Sequence, residues 1–242
     1  MPLSRAQLIF RPLARNDERT SIDPERHWMG TITLVRHGQA NSSAKDEDGY
    51  DRLSPLGWQQ AEWLGDWFRD QEENFDLVLS GSLRRQRETS AAIGFNTPEI
   101  DPRLNEMDYF NLAAALREVH GVPMPEGDGF IHHMEHVLEA WHRAEIAGNE
   151  TYESFESRVN GVLELATQPG KNVLCVTSGG VIGMVLRHLL DLNPRRIAHV
   201  LAPIRNSSIH RIHVSPAGAI LAGFNSVPHL EAVDRRYAQT FF

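Results

Sequence analysis

Apolar positions along this chain alternate between short runs suited to a strand and a period near 3.6 suited to a helix, and each switch marks an element. Thr31–Val35, "TITLV", is a β-branched and aliphatic run that reads as a short buried strand. "LSPLGWQQAEWLGDWFRD" follows, with Ser54 placed as a helix N-cap and Pro55 at the first helical position. Its apolar stripe is Leu56, Ala61, Leu64, Trp67 and Phe68. "FDLVLS" (Phe75–Ser80) predicts a second strand and "SLRRQRETSAAIGF" the next helix. A less regular middle runs from Asn111 to Asn149, with a helical pattern around Phe130–Ile146. "TYESFESRVNGVLELAT" then reads as a helix, "NVLCVT" as a strand, and "SGGVIGMVLRHLLDL" as a glycine turn feeding a helix. Finally "SSIHRIHVS" and "GAILAGFNS" alternate as two sheet strands joined by Pro216-Ala217-Gly218. Repeated strand–helix units predict an α/β fold, a three-layer α/β/α sandwich with a mostly parallel central sheet covered on both faces.

Length and composition narrow the picture. At 242 residues the chain is long enough for a sizeable core in one domain, with or without a lid. A net charge of -8 argues against nucleic acid or an anionic membrane as the main partner. No apolar run approaches the roughly 20 residues that span a bilayer. The one cysteine, Cys175, lies in an apolar run and allows no internal disulfide, so a cytoplasmic location is expected. Residues 1–28 carry no apolar stretch of the signal-peptide kind, and Met1–Arg26 mixes five arginines with four acids, unlike a transit peptide. They are expected to be a weakly ordered extension, or to reflect a start codon placed too early. Residues 29–242 form the single domain, with a lid at about 111–150. The sequence leaves a homodimer open.

In sheets of this kind ligands bind beyond the carboxyl ends of the strands. Arg36 and His37 leave the first strand there, and Gly38 lets backbone approach a ligand closely. A second unit delivers Arg84, Arg85 and Arg87; a third delivers Ser178, Gly179 and Gly180 at a helix N-terminus, which favours an anion. Two arginines and a helix start at one place predict a phosphate pocket, because guanidinium forks bind phosphate and stay charged. A neutral imidazole there is a candidate nucleophile when its other nitrogen is held by a backbone carbonyl. Other features have plainer readings. Arg84 and Arg87 are expected to face solvent, and Glu106 taken alone is readable as a loop acid. His132 and His136 share a helical face, but no third ligand accompanies them, so surface histidines on a lid helix are expected and no metal. Asn206 either holds the site loops or sits in an ordinary turn.

These segments resemble the histidine phosphatase superfamily, the phosphoglycerate mutase-like proteins. "LVRHGQA" resembles its Arg-His-Gly hallmark, "LSPLGWQQA" its Leu-Ser/Thr-Pro-x-Gly-x-x-Gln-Ala helix start, and "SLRRQRETSA" its Leu-x-Arg-x-x-x-Thr-Ala segment. "RLNEMDYF", "YESFESRV" and "FNSVPHL" are also family-like, in the family's order, so the likeness runs from about Thr31 to Leu230. The resemblance implies His37 as nucleophile, Arg36 and Arg85 on the phosphate, Thr89 one turn on, and Glu106 as general acid. It implies phosphoryl transfer without cofactor or metal. The family has His-Gly-Gly where this chain has Ser178-Gly179-Gly180; Ser178 can donate only a neutral hydrogen bond, which predicts a slower enzyme.

Three functions follow from this. The first is a metal-independent phosphomonoester hydrolase working through phosphohistidine, with Arg36, Gly38, Arg85, Ser178, Gly179 and Gly180 binding the phosphate. The second is a weakly active or non-catalytic phospho-ligand binder, suggested by Ser178. The third is a phosphoglycerate mutase, suggested by "RLNE". The segment from Asn111 to Glu150 holds seven acids against Arg117 and Arg143, too few cations for a polyphosphorylated substrate. A small phosphomonoester with a neutral or apolar remainder is therefore the expected partner.

Overall fold

The first strand extends one residue beyond its apolar run at each end, β1 at Gly30–Arg36, and lies at the centre of a six-stranded sheet. In this computed structural model the described residues are 30–241, apart from 42, 45, 46, 127, 128, 167–169, 216 and 217. The N-terminal extension expected at 1–28, and two residues of the turn expected at Pro216-Ala217-Gly218, lie outside them. The other strands are β2 at Leu77–Ser80, β3 at Glu99–Ile100, β4 at Lys171–Thr177, β5 at Ile209–Ser215 and β6 at Gly218–Ser226. Their order across the sheet is β3-β2-β4-β1-β5-β6. β3, β2, β4 and β1 are mutually parallel, while β5 and β6 run antiparallel.

Alternation along the central strands builds the two faces. Ile32, Leu34, Val173 and Cys175 point into one apolar cluster; Val35, Leu174 and Val176 point into the other. The smaller cluster is closed by α2 (Pro55–Asp70) and α3 (Arg84–Ile93), through Ala61, Leu64, Phe68 and Ile93. The larger is covered by α4 (Tyr109–His120), α5 (Phe130–His142), α6 (Tyr152–Asn160), α7 (Gly179–Leu190) and α8 (Pro194–Leu201). The remaining helix, α1, is a single turn at Glu47–Tyr50. The expected three-layer α/β/α architecture is the one observed. No helix among the described residues is long and apolar enough to cross a membrane.

The middle of the chain differs from its expected irregularity. Asp108 accepts from the Asn111 amide and starts α4, and Gly121, at φ 69°, ends it. Asn193 and Pro194 start α8 in the same way, its N-cap side chain accepting from the Arg196 amide.

The parallel register sets the site. Arg36 lies opposite Thr177, and Ser80 opposite Val176, so the loops after β1, β2 and β4 leave the sheet side by side. Two glycines let the first turn of α2 press on the loop after β1. A Cβ on Gly38 would sit 2.3 Å from the Gly57 carbonyl oxygen, and one on Gly57 would sit 2.1 Å from that of Gln39. Gln60, fully buried on α2, accepts from the Gln39 amide at 2.8 Å and so fixes the loop's path.

Candidate active site

A cavity of about 300 Å³ opens over the carboxyl ends of β1 and β4. Its floor holds Arg36, His37, Arg85, Glu106, Gly179 and Gly180. Six of the eight residues singled out from the sequence thus meet there. The other two lie behind the wall. Gly38 donates its amide to Thr89 Oγ1 at 3.0 Å, and Thr89 in turn donates to the Arg85 carbonyl at 2.7 Å, tying α3 to the His37 loop. Ser178 is fully buried; its Oγ accepts from Gln86 Nε2 at 2.9 Å, while the same nitrogen donates to the Leu104 carbonyl at 2.8 Å. Gln86 therefore fills the space beside Ser178.

His37 is 2% exposed and held in one tautomer. Its Nδ1 lies 2.8 Å from the Gly38 carbonyl oxygen, which can only accept, so Nδ1 carries the proton and Nε2 keeps its lone pair. Burial first, then Arg85 and Arg36, lowers its pKa well below the ordinary histidine value. The imidazole is neutral at physiological pH. Its backbone is clamped on both sides: the His37 amide donates to Thr177 at 2.8 Å, and its carbonyl accepts from the Ser207 amide at 3.2 Å. Asn206 belongs to this support; its amide donates to Thr240 at 2.8 Å, and its side-chain oxygen accepts from Thr240 Oγ1 at 2.8 Å.

Both guanidinium groups sit in low dielectric. Arg36 is 5% exposed and donates through Nη1 to the Ile204 carbonyl. Burial lowers its pKa, while Tyr50 and Glu106 act the other way. Arg85 is 1% exposed and donates to Asp51 Oδ1 at 3.1 Å. Asp51 also accepts the backbone amides of Arg84 at 2.9 Å and Arg85 at 3.1 Å, so it caps α3 from outside the helix. Arg84 pairs with Glu88 at 2.7 Å on the exposed side of α3.

Glu106 takes the helix start that the sequence assigned to phosphate. Its Oε2 accepts from the Gly180 amide at 2.9 Å and its Oε1 from the Met107 amide at 2.9 Å. Only glycine at 180 permits this approach, since a Cβ there would lie 2.0 Å from Glu106 Oε1.

The aromatic groups that complete the site carry no signal in the sequence. Tyr50 places its ring 5.0 Å from the Arg85 guanidinium carbon and edge-on to His37, with ring centroids 6.4 Å apart. Phe110, Phe130, Met124, Met134 and Leu201 make the upper wall, four of them supplied by residues 110–134. Tyr109 turns its ring to the cavity and its hydroxyl onto His133 Nδ1 at 2.9 Å; burial pushes its pKa up to about 12. His132 meets Glu135 rather than His136, and among the described residues no three His, Cys, Asp or Glu side chains gather as a metal group.

A neutral buried imidazole between two arginines, with a carboxylate at its side, is the arrangement on which a family comparison can be read. The family model of the histidine phosphatase superfamily (branch 1) matches residues 32–227. The chain belongs to that superfamily. A 2,3-bisphosphoglycerate-dependent phosphoglycerate mutase of Rhizobium etli is 26% identical over 200 residues, covering 76% of this chain and 91% of the relative. A broad-specificity phosphatase of Saccharomyces cerevisiae is 28% identical over 172 residues, 65% of this chain and 69% of the relative. Among solved structures, a phosphoserine phosphatase mutant of Entamoeba histolytica in complex with phosphoserine superposes with a TM-score of 0.60 at 19% identity, covering 83% of this chain and 98% of that one. That likeness concerns the fold. In this histidine phosphatase superfamily member His210, the nearest buried imidazole on β5, does not line the cavity. It bonds Ser208 Oγ at 3.0 Å and accepts from the Asn225 amide at 3.3 Å.

Proposed function

We propose that this chain hydrolyses phosphomonoesters in two steps through a phosphohistidine. The observation that carries this reading is the His37 tautomer, with Nδ1 spent on the Gly38 carbonyl and Nε2 presented to a cavity floored by Arg36 and Arg85. Nε2 attacks phosphorus; the N–P bond forms as the P–O bond to the leaving alcohol breaks. Glu106 delivers the proton that the leaving oxygen needs. In the second step water attacks phosphorus, Glu106 takes its proton, and the N–P bond breaks to return neutral His37 and phosphate. Arg36 and Arg85 neutralise the non-bridging oxygens throughout, the charge role that a divalent ion fills in many phosphoryl-transfer enzymes.

The walls speak for the substrate. Above the charged floor the lining is largely apolar, from Phe110, Phe130, Met124, Met134 and Leu201. Such walls suit a small monoester with a neutral or apolar remainder, and their described residues offer no cation to a second phosphate. That favours this reading over a bisphosphoglycerate-dependent phosphoglycerate mutase. A second reading, a weakly active phospho-ligand binder, is favoured by Ser178, which is buried behind the wall and brings no imidazole to the phosphate.

The test is hydrolysis of p-nitrophenyl phosphate by protein treated with EDTA, followed by denaturation and assay for an acid-labile phosphoryl group. Steady turnover, inhibition by vanadate and label on His37 are expected. A strict requirement for added divalent metal would overturn the mechanism. Tight phosphate binding without turnover would give the binder precedence.

A further inference from the structure

Tyr50 lines the cavity beside the groups that define the phosphate position and has no part in the mechanism above. Its ring lies over the Arg85 guanidinium at 5.0 Å and edge-on to His37, and Phe110 backs it at 6.4 Å between centroids. Tyr50 lines the same cavity as Arg36. A phenol oxygen can accept from a guanidinium, which only donates, and still offer its own proton to another acceptor. An anion held by Arg36 and Arg85 comes within reach of that proton. Meanwhile two other neutral donors near the site are turned elsewhere. Ser178 lies against Gln86, and the Gly180 amide is spent on Glu106.

We propose that Tyr50 is a catalytic residue, its hydroxyl donating a hydrogen bond to a non-bridging phosphoryl oxygen. The inference rests on the phosphatase reading above. Arg85 over its face and an edge contact with Phe110 hold the ring, so the donor is oriented before the substrate arrives. A neutral phenol donor also leaves the charge of the floor unchanged, which suits a monoester dianion already met by two guanidinium groups.

Tyr50→Phe tests this, because it keeps the ring and its stacking while removing the O–H. With p-nitrophenyl phosphate kcat is expected to fall about 10- to 100-fold. KM should change less than threefold, vanadate inhibition should weaken in parallel with kcat, and the melting temperature should match wild type. A kcat within twofold of wild type, or a rise, overturns the proposal; a rise would mean that the phenol obstructs Arg36 instead of assisting. If wild type neither turns over nor forms phosphohistidine, the phosphatase reading fails, and calorimetric binding of vanadate still decides on Tyr50. Weaker binding by Tyr50→Phe then supports the donor, and equal binding overturns it.

Discussion

Replacing His37 with alanine is expected to lower phosphomonoester turnover by at least about 10⁴-fold, because it removes the atom that bonds to phosphorus. The label on denatured protein should vanish with it. The fold should survive. The strand leading to residue 37 is held by the β1–β4 register and by backbone bonds to Thr177 and Ser207, none of which uses the imidazole. The one side-chain bond lost is that to the Gly38 carbonyl. Against that loss stands the removal of a group that burial already penalises in its charged form. Turnover within tenfold of wild type in a purified preparation would refute covalent catalysis at this residue.

Acid should unfold this protein through its neutral histidines. His37, His210 and His229 all have pKa values lowered by burial, the latter two to about 3. An unfolded histidine titrates near 6.5, so below that pH the unfolded chain takes up protons that the native state refuses. The sign is therefore fixed: the full stability is present above about pH 6.5 and is lost as pH falls. Each such histidine contributes a slope approaching about 1.4 kcal/mol per pH unit, and three together cost roughly 5 kcal/mol between pH 7 and pH 5. That is comparable to the whole stability of an ordinary domain. Denaturant titrations at the two pH values check this; equal unfolding free energies would refute it. His37→Ala should show a shallower acid limb by about one proton.

Much of this is legible in the sequence itself. Local chemistry announces β1, α2 and α7, because Ser54 and Pro55, or a glycine pair after an apolar run, act within a few residues. α4 and α8 carry similar signals in Asp108 and Asn193, yet they sit where no clear apolar period draws attention to them. β3, two residues long, has no pattern to read. Arg36 and His37 were legible because they leave β1 at the carboxyl edge of the sheet, whereas Arg85 and Glu106 stood out only through the family resemblance. The use made of the α7 start was not legible. Glycine at 180 marks a close approach, but the sequence does not say whether phosphate or the Glu106 carboxylate makes it. Tyr50 and Asp51 were silent for a related reason. Their partners, His37 and Arg85, are far along the chain or on another element, and only packing brings them together.

Asp51 ties two events into one. It supplies the acceptors for the first amides of α3 and, through the same carboxylate, holds the Arg85 guanidinium. The segment that carries it is closed by a bridge between Ala40 and Leu53 and by the Leu53 amide donating to Glu88 at 2.8 Å. When that segment opens, the helix loses its cap and Arg85 its orientation in the same step, and Tyr50 leaves with them. Hydrogen exchange at the Arg84 and Arg85 amides thus clocks how often the phosphate site comes apart, and a bound oxyanion should slow both amides together.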